Sequence, residues 1–151
     1  MVKERLVNVI FADDIRQEVG GKISIMGIYQ TEMHLQAFPA VLPKFCAHIS
    51  VYSPIDHPFS KLLIEVKRNG ETIGTAEVTE DQLLSHPVDP PDEYSTRRTF
   101  HALMTFAPLQ IGEPGTIWVD VATESESLTS NRLRMKQMTE DELASFGIPT
   151  S

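Results

Sequence analysis

The sequence predicts an all-β domain, an antiparallel two-sheet β-sandwich of eight or nine strands with a short C-terminal helix. Three observations carry this. Apolar and polar residues alternate with period two through most of the chain. Turn residues separate these runs at short, fairly regular intervals, and no segment is long enough for the helical crossover that a parallel sheet needs. A chain of 151 residues fits one such domain, predicted here over residues 1–151, and folding would bury roughly 70% of its unfolded surface.

The first strand is expected at Leu6 to Phe11, with Val7, Val9 and Phe11 on one side. Asp13-Asp14 follows, where a short helical turn capped by Asp14 and Gln17 is expected, stopped at Gly20-Gly21. Lys22 to Tyr29 is β-branched and reads as a strand, with Gly27 marking a bulge or a close backbone approach. Thr31 to Phe38 has the pattern of an edge strand, and Pro39 and Pro43 bracket a connection expected to form no regular ladder. The clearest alternation sets Phe45, Ala47, Ile49 and Val51 against Cys46, His48, Ser50 and Tyr52, as in a central strand.

Lys61 to Arg68 and Glu71 to Val78 flank Asn69-Gly70, a two-residue hairpin loop whose central positions need positive φ. Arg68 should face Glu71 at its neck. Residues 79–95 hold prolines and carboxylates without strand pattern and read as a capped turn plus an acidic loop. From Arg97 a strand resumes with Phe100, Ala102, Met104 and Phe106 inward, and its half-apolar opposite register predicts cover on both sides. A turn at Gly112 to Gly115 leads into a strand with Ile117, Val119 and Val121 inward.

Its partner is expected at Leu128 to Met138, with Arg132, Arg134 and Lys136 on one face opposite Trp118, Asp120 and Glu124. Thr139 and Glu142 form a capping box for the last helix, which Gly147-Ile148-Pro149 ends. The rhythm from His101 to Val121, strand to Pro/Gly corner to strand, makes the expected architecture immunoglobulin-like, although no cysteine pair or corner tyrosine accompanies it.

Composition narrows the function. A formal net charge of -8 offers a phosphate backbone no general attraction, so direct nucleic-acid binding is not expected. Cys46 is the only cysteine, which excludes an intrachain disulfide or a multi-thiolate zinc site and fits a reducing compartment. No signal-peptide pattern and no membrane-spanning apolar run is present, so the expected location is the cytoplasm, or a virion if the chain is phage-encoded.

Reactive constellations are sparse. The five histidines, His34, His48, His57, His86 and His101, show no ligand spacing on any one element, although His48 and His101 could meet across a sheet. The carboxylates of residues 77–93 could hold a hard cation, but their spacing matches no EF-hand, and a solvated loop is the simpler account. Asp13 and Asp14 could act as an acid/base pair, but their position before an apolar segment and Gly20-Gly21 makes helix capping the simpler account. No nucleophile elbow or phosphate loop is found, and Cys46 lies among strand residues as an inert thiol. No enzyme activity, cofactor or metal is therefore expected. The concentrated charges, Arg132, Arg134 and Lys136 on one strand and Asp89, Asp92 and Glu93 in the acidic loop, form the candidate interaction surface.

The opening block from Ala12 to Tyr29 reads Ala-Asp-Asp-Ile-Arg-x-Glu-x-x-Gly-Lys-x-Ser-x-x-Gly-x-Tyr when aligned on its distinctive residues, and Phe38-Pro39-Ala40-Val41-Leu42-Pro43 follows. It resembles a family of small uncharacterised bacterial proteins, a domain of unknown function, over the first third of the chain. The resemblance implies no catalytic residues. Its reach into prophage-encoded proteins implies a particle or accessory component as one role. The expected function is thus a non-catalytic interaction or structural protein with a protein partner or a second copy of itself. The alternatives are a small-ligand or metal-binding module and an acidic inhibitor of a nucleic-acid-binding protein.

Overall fold

Strand alternation dominates the structure, a computed structural model that describes residues 4–85 and 92–147. Among the described residues there are twelve strands and two short helices, more strands than expected because several are only three or four residues long. In chain order they are β1 (Leu6–Glu18), β2 (Lys22–Tyr29), β3 (Glu32–Leu35), β4 (Ala40–Leu42), β5 (Phe45–Pro54), β6 (Leu62–Arg68) and β7 (Glu71–Val78). Helix α1 (Glu80–Ser85) follows, then β8 (Arg97–Phe106), β9 (Leu109–Ile111), β10 (Gly115–Thr123), β11 (Ser127–Thr129), β12 (Leu133–Gln137) and helix α2 (Glu140–Ser145).

One sheet has the order β2-β1-β5-β8, a second the order β3-β12-β10-β6-β7 with β11 also on β10, and β4 pairs with β9. The chain divides into two compact units. The first takes the described residues of Met1–Val9, His48–Met104 and Trp118–Asn131; the second takes those of Ile10–Ala47, Thr105–Ile117 and Arg132–Ser151.

In the first unit Val7, Val9, Ile49, Val51, Leu62, Ile64, Val66, Val119 and Val121 are buried; Val119 and Val121 lie inward, and Val7 with Val9 and Ile49 with Val51 share a face, as the alternation predicts. The hairpin β6–β7 forms as expected. Arg68 faces Glu71, and Asn69 and Gly70 take φ of 51° and 89°. A register shift between Val66 and Lys67 interrupts the ladder above the neck. At the start of α1, Thr79 Oγ1 accepts from the Gln82 amide and Gln82 Oε1 accepts from the Thr79 amide, a reciprocal cap.

In the second unit the core is Phe11, Ala12, Ile15, Met33, Phe45, Cys46, Ala47, Leu109, Ile111, Ile117, Leu133 and Met135. The Phe45 ring anchors it, with Phe11 stacked at 5.4 Å and Tyr29 and Phe106 tilted at 5.9 and 6.4 Å. Cys46 is fully buried there, its Sγ 3.7 Å from Thr105 Oγ1.

Five sequence expectations need correction. The helical turn at Asp13-Asp14 does not form: β1 runs through both residues to Glu18 and pairs antiparallel with β2, leaving Gly20 and Gly21 (φ 89° and 73°) as the hairpin turn. A ladder seven residue pairs long outweighs a single cap. The sheets are not wholly antiparallel, because β3 lies parallel to β12 with Met33 opposite Met135. The segment between Pro39 and Pro43 does form a ladder, with Ala40 to Leu42 paired to β9.

Strand β8 is covered on one side only. It ends its sheet, and His101, Leu103 and Thr105 are exposed. The strand expected from Leu128 to Met138 is broken into β11 and β12, because side chains take over the backbone partners. Ser130 Oγ accepts from the Val119 amide at 2.8 Å. Asn131 accepts from the Val9 amide through Oδ1 and donates to its carbonyl through Nδ2, both at 2.9 Å.

Candidate functional site

The hairpin of β1 and β2 gathers the residues of the opening motif onto one element of the second unit. Asp13 falls opposite Gly27, between the pairs Ala12–Ile28 and Asp14–Met26. Gly27 has φ of 69°, and a Cβ there would overlap the Asp13 carboxylate, so the close approach expected at this glycine is to a side chain. Asp13 also accepts from the Tyr29 hydroxyl. Burial and that carboxylate together push the Tyr29 phenol well above its ordinary value.

Asp14 accepts from Lys44 Nζ at 2.5 Å and Arg16 Nε at 3.2 Å, and these two partners hold its carboxyl below the usual range. Ser24 Oγ donates to Glu18 at 3.1 Å. Thus neither aspartate caps a helix, and each carboxylate is held as a clasp on the hairpin.

Among the described residues the same hairpin leaves a free edge. Strand β2 ends its sheet, and Ile23, Met26 and Ile28 are 39%, 44% and 54% exposed, with Val19 at the turn 93% exposed. From Ile23 to Tyr29 the strand carries no charge. Edge strands in soluble proteins usually carry one.

The predicted basic stripe is real in part. Arg134 and Lys136 alternate with buried Leu133 and Met135 on β12, whereas Arg132 precedes the strand. Lys136 Nζ reaches Glu32 at 3.5 Å, and Glu32 also meets His34 Nε2 at 3.0 Å. His34 Nδ1 lies 2.5 Å from Glu142 of α2, a contact that lowers the Glu142 carboxyl. Glu142 therefore does not close the expected capping box with its side chain, although its amide donates to Thr139 Oγ1.

The opposite charges expected for this stripe are engaged elsewhere. Asp120 accepts from Trp118 Nε1 and Thr129 Oγ1, and Glu124 belongs to a cluster around Arg5. Of the acidic loop, Asp89 lies outside the described residues, and Asp92 and Glu93 are exposed. Asp92 folds its own turn, accepting from the Tyr94 amide at 2.8 Å and Ser95 Oγ at 3.0 Å, bonds that lower its carboxyl.

Sequence reasoning missed the Arg5 cluster in the first unit. Its side chain is 1% exposed and meets Glu124 at 2.5 Å, the Pro58 carbonyl at 2.5 Å and the His57 carbonyl at 3.2 Å, while its guanidinium lies 4.6 Å from the Phe59 ring centre. Arg5 and the Ser60 amide hold the Glu124 carboxyl down at about 2. No local pattern could have revealed a pair separated by 119 residues.

The histidines His48 and His101 do meet. They stack with ring centres 5.1 Å apart, and His101 Nδ1 is 3.0 Å from Ser50 Oγ. Among the described residues, no group of three or more His, Cys, Asp and Glu side chains is arranged to hold a metal.

A family model described as a family of unknown function, DUF6941, matches residues 8–136. The chain belongs to DUF6941. The match spans both clasped aspartates of this DUF6941 member, the β2 edge and the basic strand β12, and extends the resemblance well past the first third. No curated protein and no solved structure matches the chain. No helix among the described residues is long and apolar enough to cross a membrane.

Proposed function

We propose that this chain is a non-catalytic protein–protein interaction or structural protein on a two-sheet β-sandwich scaffold, and that it works through the free edge of β2. One observation carries the reading: an unpaired strand end in its sheet order, apolar and exposed at Ile23, Met26 and Ile28, without a charge from Ile23 to Tyr29. Unpaired backbone groups along such an edge accept another strand through main-chain hydrogen bonds.

The occupant we assign is a second copy of the chain. Each copy, at a formal charge of -8, repels another over most of its surface, but β2 from Ile23 to Tyr29 presents an uncharged stretch that matches itself in an antiparallel, two-fold pairing. Sedimentation velocity over about a hundredfold range of concentration tests this, because self-association depends on concentration. Dimer should form in the unmodified chain and be lost on Met26→Lys combined with Ile28→Lys, both exposed positions. A monomer throughout, or dimer that survives the substitutions, overturns the reading.

A further inference from the structure

The stacked histidines of the first unit have no role in the edge described above. His48 lies on the interior strand β5 and His101 on its neighbour β8, so two imidazoles of different strands share one face of one sheet. The His48 Nδ1 atom is buried without a hydrogen-bond partner. A buried polar atom of this kind calls for an explanation, and a water or an ion is a common one.

His101 shows the complementary feature. Its Nδ1 lies 3.0 Å from Ser50 Oγ, so one ring nitrogen is held by a hydroxyl and the ring is oriented with Nε2 as the other ligating position. Burial first, and then His101 nearby, lowers the His48 imidazole below its ordinary value, which favours its neutral, ligating form.

We infer that His48 and His101 form a two-histidine site for a divalent transition-metal ion that prefers imidazole nitrogen, with water completing the coordination. The class follows from the donors. Neutral imidazoles favour copper, nickel and zinc over calcium or magnesium, and copper binds such donors most strongly of the first-row divalent ions. Among the described residues no group of three or more His, Cys, Asp and Glu side chains is arranged as in a closed structural zinc site.

Calorimetric titration of the full chain with Cu2+ alone, in a buffer that does not chelate, tests the site. Saturable binding of one ion per chain is expected, with nitrogen hyperfine structure in the electron paramagnetic resonance spectrum. His101→Gln, at an exposed position of an end strand, should abolish that binding. His34→Gln should leave it intact, because His34 sits between Glu32 and Glu142 in the other unit.

Histidine-selective NMR of the unmodified chain gives a second reading that needs no variant: the His48 and His101 ring signals should broaden together as Cu2+ is added. Absence of saturable binding overturns the inference. So does binding that survives His101→Gln, or broadening that spares these two rings.

Discussion

Replacing Arg5 with alanine removes the most buried charge in the described structure and exposes how much the first unit depends on it. The side chain, 1% exposed, holds Glu124 through two nitrogens, donates to the carbonyls of His57 and Pro58, and packs over Phe59. Breaking a buried ion pair by removing one partner costs about 3 to 5 kcal/mol, chiefly because the remaining groups stay desolvated and unpaired. Here the lower end applies: Glu124 keeps the Ser60 amide at 2.7 Å and its side chain is 27% exposed, so about 3 kcal/mol is expected.

For a chain of this size that loss lowers Tm by roughly 6 to 12 °C. Urea unfolding followed by circular dichroism, with calorimetry for Tm, measures it. Arg5→Lys should recover only part, since an ammonium keeps the charge but cannot reproduce the planar fork over Phe59. A loss below about 1 kcal/mol for Arg5→Ala, the size of an exposed pair, would refute the argument that this cluster is a buried structural clasp.

The Glu124 carboxyl is held at about 2 against an ordinary 4.5, chiefly by Arg5. Its folded value is the depressed one, so its stabilisation is present above 4.5 and is lost as pH falls toward 2. Stability measured stepwise through that window should drop in the unmodified chain more than in Glu124→Gln; parallel curves would show that the pair does not govern acid unfolding. Gly27→Ala should cost about 2 kcal/mol through its left-handed φ and the clash with Asp13. Adding Asp13→Ala should recover the steric share but not the backbone share, and an unchanged midpoint for Gly27→Ala would disprove the close approach.

What was legible followed from local rules. The Asn69-Gly70 hairpin, the reciprocal cap at Thr79 and the buried row Ile117, Val119 and Val121 each depend on residues a few positions apart. The errors came where a local signal met a distant competitor. Asp14 followed by Gln17 satisfies a capping pattern, but pairing with β2 gave those residues a longer run of hydrogen bonds. Leu128 to Met138 alternates well, yet Ser130 and Asn131 spend their side chains on Val119 and Val9 and split the strand. The free β2 edge was invisible for a related reason: its apolar residues look like any strand's until the sheet order shows which side has no neighbour.

The sequence by itself determined that this chain is β-rich and which residues of several strands share a buried face, because period-two alternation and turn chemistry act over a few residues. Only the tertiary structure decided that Arg5 meets Glu124, that His48 meets His101, and that β2 is left at an edge. Such meetings are set by strand order and register, which depend on the packing of distant segments and leave no trace in the spacing of neighbours.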